Sequence, residues 1–256
     1  MPNYNQVPLS DKTKEIILGS LLGDGSLKKH KGYKNARFSF KHSETQKEYF
    51  FWKVNQLKEI AANNSVFRQT NDGGYSKNQK LRFQSRALEA LTELYDLTHK
   101  VKKFHIRRKW LNQMTPLSLA IWWQDDGSLI SNTRKGVFCT DGFTQEQVKS
   151  LARYLEVEWD IKTHVASVSR SRDSKQEEYF RLWIRSTAEL KKFLRLIMPH
   201  IKVPEMLLKV IILYNDHSLQ QRWISEISQK TGFSKAIINK YVAEKQSKWQ
   251  KYQKKI

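Results

Sequence analysis

Two aspartates stand where helix stability alone would not place them. Asp24 closes the run Ile16-Ile17-Leu18-Gly19-Ser20-Leu21-Leu22-Gly23-Asp24-Gly25-Ser26-Leu27. Asp126 closes Leu117-Ser118-Leu119-Ala120-Ile121-Trp122-Trp123-Gln124-Asp125-Asp126-Gly127-Ser128-Leu129. Each run reads as an apolar helix that ends in Asp-Gly-Ser-Leu. A carboxylate at a helix C-terminus faces the negative end of the macrodipole, a cost of about 0.3–1 kcal/mol, and aspartate is a poor helix former. Glycine after a helix is ordinary capping chemistry; aspartate before it is not. Two carboxylates brought together in a basic protein need a compensating cation. Mg2+ takes oxygen ligands, and a shared metal pair can activate water and stabilise a leaving oxygen, which points to phosphodiester hydrolysis.

The elements that must position these residues come in two copies. The aspartates lie about 100 residues apart, which indicates an internal duplication. For their carboxylates to meet, the two helices must pack side by side with ends aligned. Gly19 and Gly23 share one face and Ser20 is small, whereas Ala120 is followed by bulky Ile121, Trp122 and Trp123, so an asymmetric contact is expected. After Asp24 come Ser26 to His30, a turn at Lys31-Gly32, and a strand from Ala36 to Lys41 that alternates apolar and polar residues. Glu44 to Ala61 is predicted helical, Val66 to Thr70 and Lys80 to Ser85 are strands joined by Asn71-Asp72-Gly73-Gly74, and Arg86 to Thr98 is a helix. The second half repeats this order. Ser128 to Ser131 and Gly136 to Thr140 are strands, and Thr144 to Trp159 is a helix. Ile161 to Ser169 and Glu178 to Arg185 are strands around a charged loop, Arg170 to Gln176, and the helix Thr187 to Met198 stops at Pro199. Phe83-Gln84-Ser85 echoes Ile184-Arg185-Ser186. The pattern is an α+β fold of two αββαββα halves with antiparallel sheets.

Composition sets the environment. Lys plus Arg is 46 and Asp plus Glu is 25, a formal charge of +21, while 39% of residues are hydrophobic. A folded chain with that field attracts polyanions. The single cysteine, Cys139, excludes an intrachain disulfide framework and a cysteine-rich zinc site. The seven histidines form no HxxxH or HxH pair, which argues against a histidine-based metal site. No secretory signal, transit peptide or membrane-length apolar stretch is visible, so an intracellular protein is expected, in an organelle (mitochondrion or chloroplast) or in bacterial or phage cytoplasm, with no membrane partner.

The two segments resemble the paired signature helices of LAGLIDADG homing endonucleases, in the two-motif, monomeric, I-SceI-like branch. The resemblance covers roughly residues 10 to 215 and rests on two motifs, their spacing and the element order. It implies two pseudo-symmetric halves, 1–105 and 106–216, with the signature helices paired at the centre and saddle-shaped sheets along a DNA groove. It implies a site-specific endonuclease of intron homing that makes a staggered double-strand break in a long DNA target. It implies Mg2+ as cofactor, two or more ions shared between two active sites, held by Asp24 and Asp126 with Gly23 and Asp125 beside them. A basic residue near each site is also implied. Lys103 matches in the first half, with Lys102 as its competitor, and Lys209 after Pro204-Glu205-Met206 matches in the second. Such lysines polarise water or steady phosphate charge.

Sequence readout is expected from the outward faces of the strands. Alternation turns Phe38, Phe40, Leu81 and Phe83 inward, leaving Arg37, Ser39, Lys41, Lys80, Arg82 and Gln84 outward. In the second half Leu182 and Ile184 point inward and Arg181, Trp183 and Arg185 outward. Arginine and lysine suit guanine edges and glutamine suits adenine. The turn residues Lys28, Lys31, Arg134 and Lys135 fit phosphate contacts. The segment 217–256 lies outside the repeat. Gln221 to Thr231, the turn Gly232-Phe233-Ser234 and Lys235 to Glu244 resemble a helix-turn-helix with Lys235, Asn239 and Lys240 as DNA contacts; a helical hairpin that caps the core is the alternative. Two other functions compete with the endonuclease. One is an RNA maturase that helps its host intron fold, with intron RNA as partner. The other is a non-cleaving transcription regulator with a degenerate core, against which the retention of both aspartates counts.

Overall fold

The computed structural model describes residues 8–69, 79–130, 134–172 and 175–253; Asn71-Asp72-Gly73-Gly74 lies outside them. The chain divides into two compact units, Met1–Asp125 and Asp126–Ile256. Residues 116–125 of the second signature helix thus belong to the first unit.

In the first unit α1 (Asp11–Leu21) is capped by Ser10, whose side chain accepts from the Thr13 amide, and it buries every residue from Ile16 to Leu21. A helix apolar on all sides is a core helix. β1 (Gly25–Lys28), β2 (Arg37–Ser43), β3 (Val66–Gln69) and β4 (Lys80–Gln84) form an antiparallel sheet in the order β1-β2-β4-β3. Burial alternates along β2 and β4, with Phe38, Phe40, Leu81 and Phe83 inward as expected. Between β2 and β3 runs α2 (Lys47–Gln56), flanked by short 3₁₀ turns, whose Phe50 ring packs 5.2 Å from that of Phe40. α3 (Glu89–Thr98) leads into the hairpin β5 (His99–Lys100) and β6 (Lys103–Phe104), whose two loop residues, Val101 and Lys102, both have positive φ, 49° and 61°. That is the backbone a two-residue hairpin requires. After the short α4 (Arg108–Leu111), α5 (Pro116–Asp126) buries every side chain from Leu117 to Gln124.

The second unit repeats the sheet. β7 (Gly127–Leu129), β8 (Gly136–Phe138), β9 (His164–Arg172) and β10 (Lys175–Ile184) are ordered β7-β8-β10-β9. α6 (Gln145–Trp159) begins in a capping box of Thr144 and Gln147 and ends at Asp160 in the left-handed region. α7 (Thr187–Ile197) is capped by Ser186, and its Phe193 meets Phe138 edge-on at 5.5 Å. The charged loop expected at Arg170 to Gln176 is mostly strand: pairing continues to Arg172↔Lys175. Their charge gave a loop signal, whereas backbone pairing does not depend on side-chain charge. The echo of Phe83 with Ile184 also shifts. Phe83 faces Phe40 while Leu182 faces Phe138, so Leu182 is the true counterpart. A shift of two keeps every side chain on its expected face.

Two further helices, α8 (His217–Thr231) and α9 (Lys235–Gln253), follow a 3₁₀ turn, Pro204–Lys209, and belong to the second unit. They are longer than the sequence pattern indicated. Among the described residues no helix is long and apolar enough to cross a membrane.

Candidate active site

α1 ends at Leu21, so Asp24 sits in the turn before β1, not on the helix as expected; Asp126 is the last residue of α5. Glycines on the side of α1 let the two segments approach closely. A Cβ on Gly19 would lie 2.3 Å from the Ser118 carbonyl oxygen, and one on Gly23 would lie 2.5 Å from the Asp125 Cβ. Ser118 Oγ donates to the Glu15 carbonyl at 2.9 Å. Gly19 thus faces the Ser118 backbone and the Ile121 Cβ, the latter 2.9 Å from such a Cβ. Gly23 lets the turn that carries Asp24 rest directly on Asp125.

Asp125 is sealed in. Its side chain is 0% exposed, and so is that of Lys53. Lys53 Nζ donates to both carboxylate oxygens at 2.8 and 2.9 Å, and Tyr49 Oη donates to Oδ1 at 2.9 Å. The Asp24 amide reaches Oδ2 at 3.4 Å. Burial first, then the Asp125 charge, holds the Tyr49 phenol well above its ordinary range. The Lys53 ammonium also lies 4.9 Å above the Phe40 ring. His42, buried beside Asp125, has Nδ1 3.2 Å from Asp24 Oδ2 and Nε2 3.8 Å from Asp125 Oδ1. One donor atom from each of Asp24, His42 and Asp125 lies within 4.8 Å of the others.

The two carboxylates therefore differ in kind. Asp125 has both oxygens committed to protein donors, whereas the Asp24 side chain is 39% exposed. A hard cation needs open carboxylate oxygens. Asp24 fits such a ligand, and Asp125 fits a brace beneath it. His42, Tyr49 and Lys53 escaped the sequence reading. The signals were faint: His42 continues the inward parity of Phe38 and Phe40, and Tyr49 and Lys53 are one helical turn apart on the apolar stripe of α2.

In the second unit Asp126 is followed by Gly127, whose carbonyl accepts from Lys209 Nζ at 2.6 Å. The Asp126 carbonyl accepts from the Cys139 amide at 3.0 Å. Lys209 is thus brought to the Asp126 strand junction. The surroundings differ from those of Asp24. Gly25 pairs with Phe40 and Gly127 with Phe138, so Thr140 occupies the place of His42, and its Oγ1 donates to the Phe180 carbonyl at 2.6 Å. Burial pushes the Cys139 thiol up. Lys103 and Lys102 lie exposed on the β5–β6 hairpin, Lys103 paired with Lys100.

The outward faces of the strands carry the expected basic residues. Arg37, Ser39, Lys80, Arg82 and Gln84 are half-buried and Lys28 and Lys41 exposed. The buried Nε atoms of Arg37 and Arg82 have no hydrogen-bond partner among the described residues. Their guanidinium groups instead lie over Tyr33 at 4.5 Å and Phe67 at 5.6 Å. Phe67, opposite Arg82 in β3, adds an exposed ring to that face. In the second unit Arg134, Lys135 and Arg185 are exposed, Arg185 just past the end of β10. Trp183 is half-buried. Arg181 is already committed: Nε and one terminal nitrogen each donate to Asp141 at 2.6 Å, which raises its pKa further. Lys235, Asn239 and Lys240 are exposed on α9.

Residues 14–193 match the model of the LAGLIDADG DNA endonuclease family. The chain is 30% identical over 229 residues to the protein RecA of Mycobacterium gastri, covering 82% of this chain and 50% of that protein. It is 30% identical over 168 residues to the cytochrome b mRNA maturase bI2 of Debaryomyces hansenii, covering 63% of this chain and 62% of that protein. It therefore spans only about half to two thirds of these relatives. The structure of the homing endonuclease I-WcaI bound to its DNA recognition sequence superposes with a TM-score of 0.67 at 23% identity, over 84% of this chain and 96% of that one.

Proposed function

The chain belongs to the LAGLIDADG DNA endonuclease family, and from that premise we propose that it is a site-specific homing endonuclease that makes a metal-dependent, staggered double-strand break in a long DNA target. The observation that carries this reading is the contrast at the motif ends: a half-exposed Asp24 carboxylate beside the sealed Asp125–Lys53 pair. A family member without cleavage has no need of an exposed aspartate so firmly braced. Asp24 and Asp126 would hold Mg2+, which when bound supplies a water of lowered pKa and charge stabilisation at the phosphate. Gly23 gives the Asp24 turn its close seat, and Asp125 serves as brace, not ligand. His42 Nδ1 orients one Asp24 oxygen. Lys209, beside Asp126, is placed to steady negative charge on the phosphate of one strand. Lys103, on the exposed β5–β6 hairpin ahead of α5, would supply the basic residue of the first site.

The outward strand faces would read the duplex. Arg37 and Arg82, whose guanidinium groups are held over the Tyr33 and Phe67 rings, would offer their terminal nitrogens for bidentate contact with guanine. Arg181 is held by Asp141 and suits a phosphate contact better than a base. A second reading, an RNA maturase, is favoured by the likeness to the bI2 maturases of two yeasts.

The test uses the DNA flanks of the coding locus joined into one uninterrupted duplex. The protein is incubated with it in Mg2+ or EDTA, beside Asp24→Asn and Asp126→Asn. We expect one Mg2+-dependent double-strand cut, which each substitution reduces to a nick in a different strand. Specific binding without cutting would overturn the enzyme reading at that site, in favour of a regulator or, if the intron RNA binds more tightly, a maturase.

A further inference from the structure

We propose that the C-terminal helix α9 is a working part of the second active site: Lys245 is a positioning residue that holds the backbone around Lys209. This inference rests on the reading of Asp126 and Lys209 as the pair that serves one DNA strand.

The segment after the 3₁₀ turn Pro204–Lys209 has no regular structure, yet Val210, Ile211 and Ile212 are buried. Irregular backbone in a core must find partners for its carbonyls. Here side chains of α8 and α9 supply them. Lys245 Nζ donates to the Leu208 carbonyl at 3.0 Å and to the Ile211 carbonyl at 2.6 Å. Trp223 Nε1 donates to the Val210 carbonyl at 3.1 Å, and Gln220 Nε2 to the Ile212 carbonyl at 3.3 Å. The bonded carbonyls run on both sides of Lys209, and Lys245 clasps it from before and after. Lys209 in turn reaches Gly127 at 2.6 Å, next to Asp126.

Lysine is a costly residue to bury. Lys245 has no carboxylate against it among the described residues, and burial pulls its ammonium down to about 7. The neutral amine still has two N–H donors, one for each carbonyl, so the clasp survives loss of the proton. An apolar side chain would fill the same space and leave both carbonyls unpaired. The effect should be confined to one site. Asp24 is braced by Asp125, Lys53 and His42, all in the first unit, and α9 lies in the second. Thus α8 and α9 are more than an attached DNA-contacting hairpin.

The experiment measures strand-resolved, single-turnover cleavage by the full chain on a target with each strand labelled separately. Lys245→Met is compared with the parent, with Trp223→Phe as a milder second variant and Asp126→Asn to identify the dependent strand. We expect Lys245→Met to slow the Asp126-dependent strand by about tenfold to a hundredfold, as small misplacements of a catalytic group do. The other strand and the DNA affinity should stay within about twofold, and nicked product should accumulate. Trp223→Phe should show the same bias in smaller measure. Equal slowing of both strands, or parental rates on both, overturns the proposal. If Lys245→Met does not fold, Trp223→Phe decides by the same strand ratio. If Asp126→Asn spares both strands, the underlying functional reading fails; if it is strand-selective and Lys245→Met is not, the proposal fails alone.

Discussion

Adjacent aspartates at the end of α5 have opposite jobs, and stability separates them. Asp125 and Lys53 are both fully buried and doubly bonded. Removing one member of such a pair strands the other charge. Asp125→Asn should therefore cost about 3–5 kcal/mol of unfolding free energy in urea titration. Asp24→Asn, at a half-exposed carboxylate, should stay within about 0.5 kcal/mol of the parent. Replacing the pair together, Lys53→Met with Asp125→Leu, should recover much of the loss but not the cleavage, because the seat of the Asp24 amide and the contact with His42 go with Asp125. If Asp125→Asn melts like the parent, Asp125 is no brace. Asp24 and Asp126 drew attention in the sequence because each stands before a glycine at the end of an apolar run, although only Asp126 lies on a helix. The sequence hid the brace, because Lys53 on an amphipathic helix reads as a solvated charge and His42 as one more polar strand residue. Only the approach of α2, β2 and α5 makes them a cluster.

At the scale of elements, the α1–α5 seam is where sequence reasoning reached furthest. The small residues Gly19 and Gly23 do sit at the closest approach, and the asymmetry expected from Trp122 and Trp123 is present, with Ser118 as the opposing small residue. A methyl on Gly19 would stand 2.3 Å from a backbone oxygen, which no rotamer change can relieve. Gly19→Ala should thus cost about 1–3 kcal/mol, as overpacking does, and lower cleavage on both strands. Gly142→Ala, where a Cβ meets nothing within 4 Å, is the control and should be neutral in the same melting experiment. Neutral behaviour of Gly19→Ala would mean that the helices part freely. Strand faces were equally legible from period two alone. The β9–β10 tip was not, since charged residues there gave a loop signal while the backbone went on pairing. The interlock of α8 and α9 with the backbone around Lys209 was illegible too, because it joins side chains to carbonyls, and carbonyls carry no sequence signal.

For the whole molecule, the formal charge of +21 sets how it meets any polyanion and says nothing about which one. Each phosphate neutralised by a lysine or arginine releases counterions, so the logarithm of the binding constant falls with the logarithm of salt by roughly 0.9 per contact. Binding to random duplex should therefore be strong at about 50 mM salt and fall by orders of magnitude at about 200 mM. Binding to the specific target should survive that change, because the outward residues of β2 and β4 add contacts that salt does not screen away. Two substitutions divide these contributions. Lys28→Ala, at an exposed strand end, should weaken specific and random duplex alike and reduce the salt slope by about 1. Arg82→Ala should cost about 1–3 kcal/mol of discrimination at one base pair, with the loss concentrated on the specific target. Fluorescence anisotropy over a salt series, with specific duplex, random duplex and the intron RNA, measures all of this at once. If Arg82→Ala weakens every ligand equally, the guanidinium over Phe67 contacts phosphate, and the reading face lies elsewhere on the sheet.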